Sequence, residues 1–172
     1  MTTLDATAAE CRVFTFKDGA LSAIAHDLEL AVGRCTIEVS DALAIDARFA
    51  LDSLRVLHAV KDGRPTTALG DSDKRKIERT LADEVLAVRR HPEARFAGRA
   101  EPVGDAFLVT GELTLHGRTR AISTTTRLVG GRQQLELTLH QPDFGITPYR
   151  AMLGALKVKA DVRVTIAARW PR

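Results

Sequence analysis

Residues 106–128 read AFLVTGELTLHGRTRAISTTTRL, and their period of two decides the fold class. Phe107, Val109, Gly111, Leu113 and Leu115 fall on one side of an extended chain; Thr110, Glu112, Thr114 and His116 fall on the other. Side chains of a strand point alternately to its two faces, so this is a strand with one buried and one wet face. His116-Gly117 marks a corner. After it Ile122, Thr124, Thr126 and Leu128 alternate with Ser123, Thr125 and Arg127. Two such runs across a tight corner predict an antiparallel pair.

The same alternation spreads outward in both directions. Leu135, Leu137 and Leu139 oppose Glu136, Thr138 and His140. Leu156, Val158, Ala160, Val162, Val164 and Ile166 oppose Lys157, Lys159, Asp161, Arg163 and Thr165, predicting one long last strand. Towards the N-terminus, Leu28, Leu30 and Val32, then Cys35, Ile37 and Val39, then Leu43, Ile45, Ala47, Phe49 and Leu51 repeat the pattern. Asp18-Gly19, Val103-Gly104-Asp105 and Gly130-Gly131 are hairpin-compatible links between runs, and Gly33 marks a further corner. One stretch departs from the period. Asp71 or Ser72 can cap a helix reaching about Leu86, with Ile77, Leu81 and Val85 four apart on one stripe and Lys74, Arg75, Lys76 and Arg79 on the remaining surface. Residues 61–70 before it read as a mobile loop, and His91-Pro92 ends the helix and leads into a strand over residues 95–100.

The result is a mainly β chain of about eight or nine antiparallel strands with one α-helix inserted around residues 72–86. A long sheet with one apolar face must cover that face, and with a single helix available it does so by curling into a barrel. An eight-stranded barrel is either filled by side chains or holds one small ligand. The inward positions mix Phe49, Phe96 and Phe107 with small residues such as Ala47, Gly98, Ala100, Gly111, Thr124 and Ala160. Such a mixture suits a hollow lumen and barrel taper equally, so the alternation leaves both open.

Composition narrows the function classes. The 172 residues fit one domain, expected over residues 11–170 behind a flexible N-terminus of residues 1–10. The net charge of +3 comes from 19 Arg and 6 Lys against 22 acidic residues. These bases are dispersed, whereas nucleic-acid binding calls for a dense basic face. Residues 1–10 carry Asp5 and Glu10 and no basic start with an apolar run, so a cytoplasmic chain is expected. No apolar window reaches the length of a transmembrane helix. Cys11 and Cys35 read as reduced, small apolar strand residues.

No catalytic or metal motif stands out. His26, His58, His91, His116 and His140 are scattered, without the spacing of a metal site, and read as turn and strand-end residues. Asp143-Phe144-Gly145 spells a kinase signature without its companions and reads as a turn in which Gly145 takes unusual backbone angles. A nucleophile elbow and a phosphate loop are both absent.

Three stretches carry a family resemblance. GELTLHGRTR at residues 111–120 resembles the G-x-L-T-L-H-G-x-T-R segment of the YceI-like, polyisoprenoid-binding family. HPEARF at 91–96 is similar to its YP-x-I-x-F strand entry, and DFGI at 143–146 to its D-F-G-I loop before the last strand. They occur in the family's order, and His26 and the 71–86 helix also sit where that family has them. The resemblance implies an extended, lipocalin-like antiparallel barrel that encloses a polyisoprenoid or other lipid, and homodimers of a bacterial-type protein. Arg118 and Ala121 depart from the apolar residue and proline usual after the His-Gly.

The expectation is therefore a non-enzymatic carrier of a long apolar chain (polyisoprenoid, isoprenoid quinone or another lipid), with no cofactor, no metal and no nucleic-acid partner. Leu30, Phe49, Phe96, Phe107, Val109, Leu113, Leu137 and Val162 are the expected lumenal contacts, with Arg150 at a rim for a charged head. The rival reading is a filled barrel that docks a protein partner through its basic helix and the 61–70 loop.

Overall fold

A computed structural model describes residues 1–19 and 25–170. The first half holds strands β1 (Thr2–Asp5), β2 (Ala9–Thr15), β3 (Lys17–Asp18), β4 (Asp27–Val32), β5 (Cys35–Val39), β6 (Ala44–Ala50), β7 (Leu54–Lys61) and β8 (Arg64–Thr66), then helix α1 (Asp71–Thr80). The second half holds β9 (Glu93–Val103), β10 (Ala106–Leu115), β11 (Arg118–Thr125), β12 (Arg127–Val129), β13 (Arg132–His140), β14 (Arg150–Ala151), β15 (Leu156–Val158) and β16 (Asp161–Ala168).

Several of these segments are halves of one bent stave. β1 runs into β2, β4 into β5, β6 through a short turn at Leu51–Ser53 into β7, and β11 into β12. The staves then pair antiparallel around a ring. β1–β2 pairs β5–β4, which pairs β6–β7. β6 pairs β9, β9 pairs β10 and β10 pairs β11. β12 pairs β13, β13 pairs β16, and β16 returns to β2. The eight-stranded barrel expected from the alternation is the architecture found. β3, β14 and β15 form a small separate sheet outside it.

The helix is where it was expected, with a shifted start. Its cap is Gly70, whose N–H donates to Asp73 Oδ2 at 3.3 Å. Asp71 and Asp73 lie in the first turn and Arg79 in the last, matching the helix dipole. The last turn, Leu81–Val85, widens into a π-type turn. Glu78 Oε1 accepts the Val56 N–H at 2.9 Å and pins the helix to β7.

Four expectations are revised. The 61–70 loop contains β8, which returns on β7 through Asp62-Gly63, both at positive φ (51° and 74°). The single long last strand is broken into β15 and β16 because Gln141 captures its backbone: Gln141 N donates to Ala160 O at 2.8 Å, and its Nε2 to Lys159 O at 3.0 Å. Leu128 is 51% exposed, because the alternation slips at Thr126, where the chain passes from one sheet to the other. The first ten residues, expected to be flexible, hold β1, whose Leu4 is buried against the core.

Candidate functional site

The ring encloses a cavity of about 230 Å³. Every stave contributes to its wall, and among the described residues no Asp, Glu, Lys, Arg or His side chain does. Seven of the expected contacts line it: Leu30, Phe49, Phe96, Val109, Leu113, Leu137 and Val162. Phe107 does not; its ring packs on Trp170, centroids 5.1 Å apart, and Trp170 forms the wall in its place. Arg150 does not either. It is exposed in β14, paired with Lys157, away from the lining residues.

The lumen stays open because of a glycine pair. Gly98 and Gly111 are direct partners across β9 and β10. A Cβ on Gly111 would lie 2.3 Å from Ala97 O and 2.7 Å from Phe96 Cζ; one on Gly98 would lie 2.3 Å from Thr110 O and 2.7 Å from the same Cζ. The Phe96 ring therefore lies along the wall over two bare backbones, where any side chain would push it inward. The small inward residues serve close contact and an open lumen together.

Each mouth is finished differently. At one, Leu81, Val85 and Leu86 at the end of the helix complete the wall, among the described residues the only part of it not made by strands or their flanking turns and termini. At the other, Thr126 Oγ1 accepts the Phe107 N–H at 2.9 Å and donates to Gln133 Oε1 at 2.6 Å, while Gln133 Nε2 donates to Asp105 O at 2.7 Å. Trp170 stands there with its Nε1 buried and without a partner among the described residues.

Gln133, Gln141 and Trp170 are wall residues that the sequence reading missed. The two glutamines continue the 135–137–139 register by one step at each end, so the period could have found them. Their polarity concealed them. Cys11 also lines the wall, and burial pushes its thiol up to about 12, helped by the neighbouring Cys35. Both cysteines are free and buried, which makes them inert packing groups.

The ring has one weak seam. β12 and β13 pair over three residues, but below them β11 has no ladder with β13 among the described residues. Only Thr124 Oγ1 crosses, donating to Glu136 O at 2.9 Å. At the foot of this seam the histidines of two distant segments meet, His91 and His116, with ring centroids 4.4 Å apart. Two further histidines bond their cross-strand partners, His58 with Glu29 and His140 with Asp161, both at 2.6 Å; His26 is exposed.

Comparison with known proteins agrees with this geometry. The YceI-like domain family matches residues 3–170. Among solved structures, a polyisoprenoid binding domain from Saccharophagus degradans implicated in plant cell wall breakdown superposes with a TM-score of 0.65 at 18% identity, over 96% of this chain and 94% of that one. BcnA of Burkholderia cenocepacia superposes with a TM-score of 0.62 at 13% identity, over 92% and 94% of the two chains. At these identities the likeness is one of fold. No curated protein sequence matches the chain.

Proposed function

The chain belongs to the YceI-like domain family, and from that premise we propose that it is a non-enzymatic carrier holding a long apolar chain, a polyisoprenoid, an isoprenoid quinone or another lipid, inside the barrel. The observation that carries this reading is the wall itself: eight staves of apolar and neutral side chains around open space. Each CH₂ withdrawn from water into such a lumen contributes about 0.8 kcal/mol, so a chain of several carbons binds without any polar anchor. The open space inside the ring favours this reading over the filled docking module. Among the described residues the one titratable wall group is Cys11, held in its neutral thiol form, which speaks for holding a ligand over reacting with it.

The volume sets a limit on what fits. About 230 Å³ is less than the roughly 300–1,000 Å³ of common small-molecule pockets. A long polyisoprenoid would place part of its length inside and let the rest leave through a mouth or the β11–β13 seam.

Trp170 is the only tryptophan of the chain and stands in the wall, so its fluorescence reports occupancy directly. Titration with farnesol should give a saturable change in emission, and native mass spectrometry of the purified protein should show a bound lipid. A protein that comes up empty, with no saturable response to farnesol or to hexadecanol, would remove the carrier role.

A further inference from the structure

Near Trp170 the wall ends in the Thr126–Gln133 pair. At the opposite mouth it ends in Leu86, Leu115 and Phe144, and basic residues gather just beyond the first two: Arg89, Arg90 and His91 after Leu86, His116 and Arg118 after Leu115. Ala87, at φ 47°, turns the chain out of the helix and accepts the N–H groups of Arg90 and His91 at 2.9 and 3.0 Å. The β10–β11 corner, with φ 52° at His116 and 76° at Gly117, presents His116 and Arg118 beside them.

These groups converge. The two imidazoles stack at 4.4 Å, and His91 Cε1 lies 3.1 Å from where a Cβ on Gly117 would sit. Arg118 Nε lies 2.8 Å from the same point on Gly145, the residue after Phe144. The field there has one sign. Burial first, then the neighbouring His91, hold His116 below the ordinary imidazole range against the pull of its hydrogen bond with the Phe144 backbone, and Arg90 and Arg118 add smaller pushes in the same downward direction. Among the described residues no carboxylate pairs with Arg90 or Arg118; Glu93 is turned to Arg95 at 3.8 Å, and Asp143 is exposed in its turn and makes no ion pair. Cations gathered without a counter-ion raise one another's energy, and an anion brought to them relieves it.

We infer that this rim, formed by Arg90, His91, His116 and Arg118, is a head-group site for an anionic amphiphile: a carboxylate or phosphate monoester on a long chain whose tail runs up the lumen towards Trp170. The inference rests on the carrier reading and adds a head chemistry and an orientation. The β10 lining runs from Leu115 to Val109, roughly 20 Å of strand at about 3.3 Å per residue, comparable with an extended hexadecyl chain. Among the described residues the wall has no charged group to receive the head, so the head stays at the rim and the tail goes in.

The test uses hexadecanoate and hexadecanol on the full chain, read by Trp170 fluorescence. In low salt the acid should bind about tenfold tighter than the alcohol, because charge-assisted hydrogen bonds to guanidinium exceed neutral ones, and the preference should shrink as salt is added. Terminally brominated hexadecanoate should quench Trp170 more than the isomer brominated beside the carboxylate. Arg118→Gln and Arg90→Gln should each lower the preference several-fold and leave hexadecanol binding unchanged; the exposed Arg90 keeps the test valid should Arg118→Gln disturb the Gly145 turn. Equal affinity for acid and alcohol, or stronger quenching by the head-proximal bromine, overturns the inference and spares the carrier. If neither compound binds, both fall. Inorganic phosphate bound alone at comparable affinity, and weakened by the same substitutions, overturns it in favour of a free-anion site.

Discussion

The β9–β10 wall and the β11–β13 wall carry the same alternating sequence signal and are built in opposite ways. β9 and β10 share an unbroken ladder from Arg95–Thr114 to Val103–Ala106, with Gly98 against Gly111 and no room for a Cβ on either. β11 and β13 meet through three pairs at β12 and one hydroxyl below them. Leu113 on the first wall is buried; Leu135 and Leu137 on the second are half-buried although they line the same lumen. The difference teaches that period two fixes which residues face inward but not whether neighbouring strands close over them.

Substitutions can break or sharpen this contrast. Gly111→Val should have the largest effect, about 3 kcal/mol or more, since the new side chain meets backbone and the Phe96 ring inside a continuous ladder. Urea unfolding measures it, and a loss under about 1 kcal/mol would mean that the wall yields. Next comes a matched pair: Leu113→Ala should cost about 3 kcal/mol and Leu137→Ala about 1 kcal/mol, because only the buried leucine leaves a true cavity. Equal losses would erase the distinction between the walls. Thr124→Val removes the hydroxyl bridge that crosses the seam below the β12 ladder and should cost about 1 kcal/mol, with faster amide exchange in β11 than in β9.

The smallest effect is a pH slope. His116 has a lowered pKa in the fold, so below the unfolded value of 6.5 the unfolded chain takes up the proton first. Stability is therefore full above that pH and declines as pH falls through it. His116→Gln should flatten the decline between pH 7 and 5 in paired denaturation curves, and an unchanged slope would show that the rim field is screened.

Much of the barrel was legible. Leu28 through Leu51 and Phe107 through Ile166 gave the staves and their inward faces, and seven of nine expected contacts reached the wall. What stayed hidden depends on tertiary contacts. Gln141 breaks the last strand by hydrogen-bonding Lys159 and Ala160, and no local signal in 156–166 announces that. Phe107 fell out of the lumen because Trp170, from the other end of the chain, packs on it. His91 and His116 are unremarkable alone and meet only when the helix exit and a hairpin corner close on one mouth. The N-terminal strand was missed because four residues ending at Asp5 are too short to display a period.

Leu81, Val85 and Leu86 put a helical stopper into an otherwise woven enclosure. A stave residue can change size only within the spacing of its hydrogen-bonded neighbours, whereas a side chain on the stopper answers to no ladder. Descendants of this sequence could enlarge or shorten the chamber by exchanging those three residues while leaving the weave intact. Ligand breadth across lineages should therefore diverge first at the helix end.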